Sequence, residues 1–271
     1  MITYPFSKIN IGLHIVGKRQ DGFHNLETIF YPVGLQDALE IVESKEFHFM
    51  TNRPEMGSFK NNLVVKAYQL LKKDYNIPPV DIYLYKKIPT GAGLGGGSSD
   101  ASHTILMLDK IFSLSISNEK KKKYALSLGS DCPFFLENRP VFASGRGEIT
   151  EEISLNLNNY YIILVLPNVS VSTKEAYEHI SVQKEKNSLK ELIQLPPKKW
   201  KGKITNQFEK YVFDKYTEAG KIKQTLYDQG ACFALMSGSG SSFYGIFKKK
   251  QKNIDSWFPE NYHTFQQKLE Y

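Results

Sequence analysis

The chain has 271 residues, long enough for one large domain or two moderate ones. Its 41% hydrophobic and 23% charged content supplies a core and excludes global disorder. A net charge of +7 favours anionic ligands such as nucleotides, but no zinc-finger, RNP or bZIP pattern accompanies it, so nucleic acid is not expected as a partner.

The N-terminus reads MITYPFSKIN, without a basic stretch followed by an apolar one, and no signal peptide is expected. Asn10–Val16 alternates Ile11, Leu13 and Ile15 with Asn10, Gly12 and His14, which predicts a half-buried strand. Asp21-Gly22 marks a turn, and Thr28–Val33 and Ala38–Val42 are short strand candidates. Asn62–Lys72 has helical spacing with Asn61 or Asn62 as N-cap. Asp81–Tyr85 alternates as a strand before the segment IPTGAGLGGGSSDAS at Ile88–Ser102. Ala101, Ile105, Leu108 and Phe112 then predict an amphipathic helix starting at Ser98 and Ser99. A second helix covers Glu119–Leu128, with Gly129 as C-cap. Ser130-Asp131-Cys132-Pro133 has the chemistry of a new helix start. The strand at Val141–Ser144 is followed by the turn Gly145–Glu148, and the lysine runs Lys120–Lys123 and Lys248–Lys250 read as solvated faces.

Near residue 155 the pattern resets, which places a soft boundary between domains 1–155 and 156–271. Tyr160–Leu166 is a strand and the longest purely apolar-aromatic run, far below the ~18 residues of a membrane span, so no membrane partner is expected. Helix candidates follow at Thr173–Ile180, Ser188–Gln194, Asn206–Phe213 and Glu218–Asp228, with loops at Lys184–Asn187 and Pro196–Gly202. Ala231–Met236 and Ser242–Phe247 flank Ser237–Ser241 as a hairpin. Cys132 and Cys232 make neither a disulfide framework nor a zinc pair. Strands in antiparallel-looking pairs favour an α+β fold over a doubly wound sheet, in a cytoplasmic protein.

Gly91, Gly93, Gly95, Gly96 and Gly97 crowd into seven positions. Ordering glycine is costly, so this density needs a reason. Ahead of a helix, such a loop turns backbone N–H groups toward an anion, and Ser98 and Ser99 add hydroxyls. No lysine follows the glycines, which rules out a Walker loop. Gly91–Gly96 matches G-x-G-x-x-G, but Asp109 comes too early for the ribose-binding acid of a dinucleotide site.

The segment Pro89-Thr90-Gly91-Ala92-Gly93-Leu94-Gly95-Gly96-Gly97-Ser98-Ser99 resembles the phosphate-binding loop of the GHMP kinase superfamily. Ser7–Asn10, Asp21–His24, Leu128–Phe135 and Met236–Ser241 are similar, in the same order, to the branch of that superfamily that phosphorylates 4-diphosphocytidyl-2-C-methyl-D-erythritol. The resemblance implies a two-lobed GHMP fold with mixed and antiparallel sheets, helices and a ligand cleft between the lobes. It also implies ATP as co-substrate, and transfer of its γ-phosphoryl to the 2-hydroxyl of that cytidine-diphosphate sugar alcohol on the non-mevalonate route to isoprenoid precursors. Mg2+ is expected with the nucleotide, touching Ser99 or Asp131, since no dedicated metal cage is visible. A monomer or weak homodimer is expected.

By the same resemblance Asp131 is the catalytic carboxylate and Lys8 its partner, while Lys86, Pro89 and the loop Gly91, Ala92, Gly93, Leu94, Gly95, Gly96, Gly97, Ser98 and Ser99 bind ATP. Phe23, His24 and Tyr177 would hold the cytidine, Asn10 would touch substrate or fix Asp131, and Thr173 is a further substrate-side residue. The superfamily branch has Tyr where Phe23 stands, so that hydroxyl is missing. Gly238 and Gly240 form a second glycine loop that closes over the site in the family. Each residue also has a plain alternative. Asp131 suits a helix N-cap, Lys8 and Lys86 suit solvated lysines, Phe23 and Tyr177 suit core aromatics, His24 suits a structural histidine, and Gly238 and Gly240 suit a hairpin turn. Competing functions are another GHMP kinase of homoserine or mevalonate type, a dinucleotide-dependent oxidoreductase, and a basic nucleic-acid-binding module.

Overall fold

The computed structural model describes residues 1–53, 59–169, 171–180, 182 and 187–270. Of the loop expected at Lys184–Asn187, residues 184–186 lie outside the described residues. The strands in chain order are β1 (Ile2–Thr3), β2 (Phe6–Lys18), β3 (His24–Gln36), β4 (Ala38–Glu43), β5 (His48–Thr51), β6 (Val80–Tyr85), β7 (Val141–Ser144), β8 (Ile149–Glu152), β9 (Tyr161–Leu166), β10 (Phe233–Met236), β11 (Phe243–Phe247) and β12 (His263–Lys268). The helices are α1 (Leu63–Tyr75), α2 (Gly96–Ile111), α3 (Asn118–Leu128), α4 (Thr173–Glu178), α5 (Leu189–Leu192), α6 (Glu209–Lys215) and α7 (Thr217–Asp228), with a short 3-10 turn at Cys132–Leu136. The α+β class expected from the strand pairing holds.

The chain forms two compact units. The first comprises residues 1–7, 33–90 and 95–138. Its sheet runs β1–β4–β6–β5, antiparallel except for the β5–β6 pair. One sheet face carries Leu39, Ile41, Ile82 and Leu84, all buried in a cluster with Val64, Ala67 and Leu71 of α1 and Ala101, Ile105 and Leu108 of α2. Asn62 caps α1 by accepting from the Val64 N–H at 2.9 Å, and Asn76 ends it in the left-handed region. Ser117 caps α3. Gly129 ends α3 in extended backbone, φ 175°, rather than the left-handed turn a C-cap glycine usually supplies. Space there is tight, since a Cβ would lie 3.2 Å from the Cys132 Sγ.

The second unit comprises residues 8–32, 91–94 and 139–271. It holds the sheets β2–β3–β7–β8 and β10–β11–β9–β12. Its core joins Leu13, Ile15 and Leu26 to Ile163, Val165, Phe208, Ile222, Leu226, Met236 and Phe243. Strand β2 is buried on both faces from Phe6 to Ile15, not half-buried as its alternation predicts. A Cβ at Gly12 would meet Leu189 at 2.6 Å and Ile204 at 3.0 Å, so these distant residues cover the face expected to meet water. The segment at 205–207 also runs along β2, with Leu13 N–H donating to Thr205 O and Gln207 N–H to Leu13 O. That pairing keeps residues 206–208 out of the helix expected at Asn206–Phe213, and α6 starts at Glu209. The units break at residues 7/8, 32/33, 90/91, 94/95 and 138/139 rather than at 155, because strand pairing draws residues 8–32 together with β7 and β8.

Candidate active site

In the first unit, the exit of the glycine loop is the start of α2. Gly95 stands at the N-cap with φ +70°, a conformation glycine adopts at little cost. The Ser99 N–H closes the first helical bond to Gly95 O at 2.9 Å. The helix therefore opens at Gly96, two residues before the serines at which the apolar spacing places it. The N–H groups of Gly96, Gly97 and Ser98 fall in the first turn, which lacks carbonyl partners within the helix and carries the positive end of its dipole. Gly95 has no side chain to cap α2, so these N–H groups receive no capping bond from it.

The same helix grips the segment that carries Asp131. The Ser102 hydroxyl donates to Cys132 O at 2.7 Å. The Ser98 Oγ lies 3.8 Å from the position of a Cβ at Gly129. Both hydroxyls reach the Cys132 thiol, which burial pushes up to about 11. Asp131 is half-buried and stands at the N-cap position of the 3-10 turn, where its carboxylate makes no capping bond. Lys86 is not a surface lysine. It is 4% exposed, and its ammonium pairs with Asp37 and Asp100. Pro89, at the loop entry, is half-buried.

In the second unit, Gly91–Leu94 lies against the Ser237–Ser242 loop. Ser237 Oγ donates to Gly93 O at 2.8 Å, and Ser242 N–H to Ala92 O at 3.1 Å. A Cβ at Gly93 would fall 2.0 Å from Ser237 O, so only glycine fits. The loop of Gly238 and Gly240 is thus more than a hairpin turn. It is held from the other side by Asn206, whose amide donates to Met236 O at 2.9 Å and Gly238 O at 2.8 Å. Lys8 is buried, with its ammonium donating to Asn10 Oδ1 and to Gly93 O at 3.2 Å, 5.0 Å from the Phe30 ring centre. Its backbone N–H donates to Leu94 O at 2.9 Å. The Asn10 amide nitrogen donates to Thr28 Oγ1 at 2.9 Å, and the Asn10 backbone N–H to Ser237 Oγ at 3.2 Å. A lysine with this little water and these neutral oxygen partners is not a solvated surface group.

Also in the second unit, the His24 and Tyr177 rings stack at 5.2 Å and 22°. Tyr177 in turn meets Phe208 edge-on at 4.9 Å. Burial lowers the His24 pKa, with a smaller contribution from the positive charge of Lys18. Phe23 is 52% exposed and lies under the Arg146 guanidinium at 4.8 Å. The Gly145–Gly147 turn thereby supplies a cation that the sequence alone presents as a plain turn. Thr173, exposed at the start of α4, shares a 2.8 Å hydrogen bond with Ser239 of the second glycine loop. Thr28, Asn206, Arg146 and the pair Asp37–Asp100 carry no motif of their own, and it is the fold that brings them to these positions. Among the described residues no cluster of three or more His, Cys, Asp or Glu is arranged to hold a metal ion. No helix there is long and apolar enough to cross a membrane.

The family model described as GHMP kinases N terminal domain matches residues 62–138, and that described as GHMP kinases C terminal matches residues 187–256. The chain belongs to the GHMP kinase family. This GHMP kinase is 49% identical over 267 residues to a protein of Azobacteroides pseudotrichonymphae named 4-diphosphocytidyl-2-C-methyl-D-erythritol kinase, covering 98% of this chain and 100% of that one. It is 49% identical over 258 residues to the Bacteroides fragilis protein of the same name, covering 93% and 94%. The crystal structure of a 4-(cytidine 5'-diphospho)-2C-methyl-D-erythritol kinase superposes with a TM-score of 0.76 at 29% identity, covering 90% of this chain and 89% of that one. The GHMP fold expected from the glycine loop is therefore present.

Proposed function

We propose that this GHMP kinase transfers the γ-phosphoryl group of ATP to the 2-hydroxyl of 4-diphosphocytidyl-2-C-methyl-D-erythritol. The names of its relatives support the acceptor. The observation that carries the chemistry lies within the first unit. The anion-binding start of α2 and the segment of Asp131 are joined by the Ser102 hydroxyl, which donates to Cys132 O, with the Ser98 hydroxyl against the Cys132 thiol. A triphosphate tail held at Gly96–Ser99 thus has a carboxylate in the same compact unit. Phosphoryl transfer needs little covalent help from the protein; it needs positioning and charge compensation. Asp131 orients the acceptor hydroxyl and takes its proton, and the Lys8 ammonium offsets charge on the transferred group. His24 and Tyr177 offer a flat face and ring nitrogens to the cytosine, with Phe23 and Thr173 as further substrate-side groups. Mg2+ enters as part of the nucleotide substrate, where it neutralises triphosphate charge.

The test offers labelled ATP with 4-diphosphocytidyl-2-C-methyl-D-erythritol, mevalonate and homoserine in turn. Label is expected on the first acceptor alone; transfer to either of the others in its place overturns the reading. Asp131→Asn is expected to lower kcat by about 10²–10⁴-fold, the usual size of a general-base contribution. The KM for ATP should stay near the parent value, and normal turnover by this variant would remove Asp131 from the catalytic role.

A further inference from the structure

The motif reading places Lys86 among the ATP ligands, yet its surroundings are those of a brace. Its ammonium pairs with Asp37 and, at 2.7 Å, with Asp100 Oδ2. The three side chains are 3%, 0% and 2% exposed. The second oxygen of Asp37 accepts from the backbone N–H groups of Lys87 and, at 2.9 Å, Ile88. The Lys86 backbone is itself held on both sides by Asn52, whose Oδ1 accepts from the Lys86 N–H at 2.7 Å and whose amide donates to Lys86 O at 3.2 Å. Above this cluster sits the first residue of α2. A Cβ at Gly96 would lie 3.1 Å from the Lys86 ammonium and 2.8 Å from Ile88.

Residues 86–88 are the chain entering the glycine loop, and Gly96–Asp100 is the chain leaving it. Asp37 holds the entry, Asp100 belongs to the exit, and Lys86 joins the two. Two carboxylates around one ammonium carry no surplus positive charge for a triphosphate, so the cluster is a poor anion receptor. A loop of five glycines, by contrast, has much conformational entropy to lose when it closes on a ligand, and fixing both its ends lowers that cost. We infer that Asp37, Lys86 and Asp100 are positioning residues that staple the two ends of the phosphate-binding loop and so set the affinity for ATP, with Lys86 making no phosphate contact. This rests on the reading that the loop binds the ATP tail. Asp100 Oδ1 has no hydrogen-bond partner among the described residues, and burial raises this carboxyl to about 7. The cluster is therefore built to hold close to zero net charge, not a further anion.

Replacing Lys86 would leave two buried carboxylates unpaired and endanger folding. Asp100→Asn is the cleaner probe, since it keeps the shape and the Lys86–Asp37 pair while weakening the hold on α2. The steady-state KM for ATP is expected to rise about tenfold, the size of losing one charge-assisted hydrogen bond. At saturating ATP, kcat and the KM for the cytidine acceptor are expected to stay within about twofold, since only a ground-state ordering step is affected. If Lys86 were a phosphate ligand, Asp100→Asn would release it and KM for ATP would fall; that result overturns the inference. A lower melting temperature with unchanged KM for ATP, or a fall in kcat alone, also overturns it. Should Asp100→Asn fail to fold, Asp37→Asn loosens the entry instead, and the same rise in KM for ATP is required. The thermal shift that Mg-ATP produces in the parent protein is read alongside. Its absence would refute ATP binding itself, a failure separate from that of the staple.

Discussion

His24 and Tyr177 show how a residue's chemistry depends on what the fold lays against it. Alone in the sequence, each suits a core or structural role. Stacked at 5.2 Å, they form one aromatic face. Burial lowers the His24 pKa from 6.5, so the ring is neutral at physiological pH. The sign follows from the depressed value: its contribution to stability is present above 6.5 and is lost as the pH falls through the lowered pKa. An NMR titration of the His24 ring is expected to give a midpoint below 6.5, and Tyr177→Ala should move it back upward by opening the ring to water. A midpoint at or above 6.5 in the intact protein would contradict the stack. Phe23 belongs to a different arrangement, beneath the Arg146 guanidinium that the Gly145–Glu148 turn carries.

At the scale of elements, the glycines divide the work. Gly95 turns the chain so that α2 opens with free N–H groups, while Gly93 lets the Ser237 carbonyl approach where a side chain would block it. Gly93→Ala faces both a φ of +77° and a Cβ 2.0 Å from Ser237 O. A cost above about 1 kcal/mol in chemical denaturation is expected, together with a large loss of turnover, because the two loops must separate. Retention of both stability and activity would show that the loops do not need this closeness. Much of this level was legible in advance. Local spacing and caps placed α1, α3, β7, β9 and the β10–β11 hairpin to within a few residues. Four strands, β1, β5, β8 and β12, went unseen because they are short or polar-rich stretches with little apolar alternation of their own. The double burial of β2 and the ion cluster of Lys86 were equally invisible, since both depend on residues far away in the sequence.

For the whole molecule, the division of the chain into units is not a division of the sequence into halves. The second unit includes residues 8–32, and its core takes Leu13, Ile15 and Leu26 from that stretch. Composition shifts mark residue 155 because local pattern resets there, but pattern carries no information about which distant strand completes a sheet. A fragment spanning residues 156–271 lacks those core residues and the strands β2, β3, β7 and β8. Expressed alone, it is expected to melt without a cooperative transition in circular dichroism, because the apolar surface it should bury has lost its cover. A sharp transition in that fragment would show that the C-terminal half folds by itself. The family motifs survived this interleaving because each is short and local, whereas the domain boundary is a property of long-range pairing.

The burial of Cys132 has a practical consequence for anyone handling this enzyme. The thiol beside Asp131 is sealed from water and held protonated by its surroundings, with hydroxyls of Ser98 and Ser102 against it. Thiolate is the form that alkylating reagents attack, so iodoacetamide should spare this position in the native protein and reach the half-buried Cys232 first. Labelling at Cys132 would then serve as a gauge of how often α2 lets go of the segment that carries Asp131.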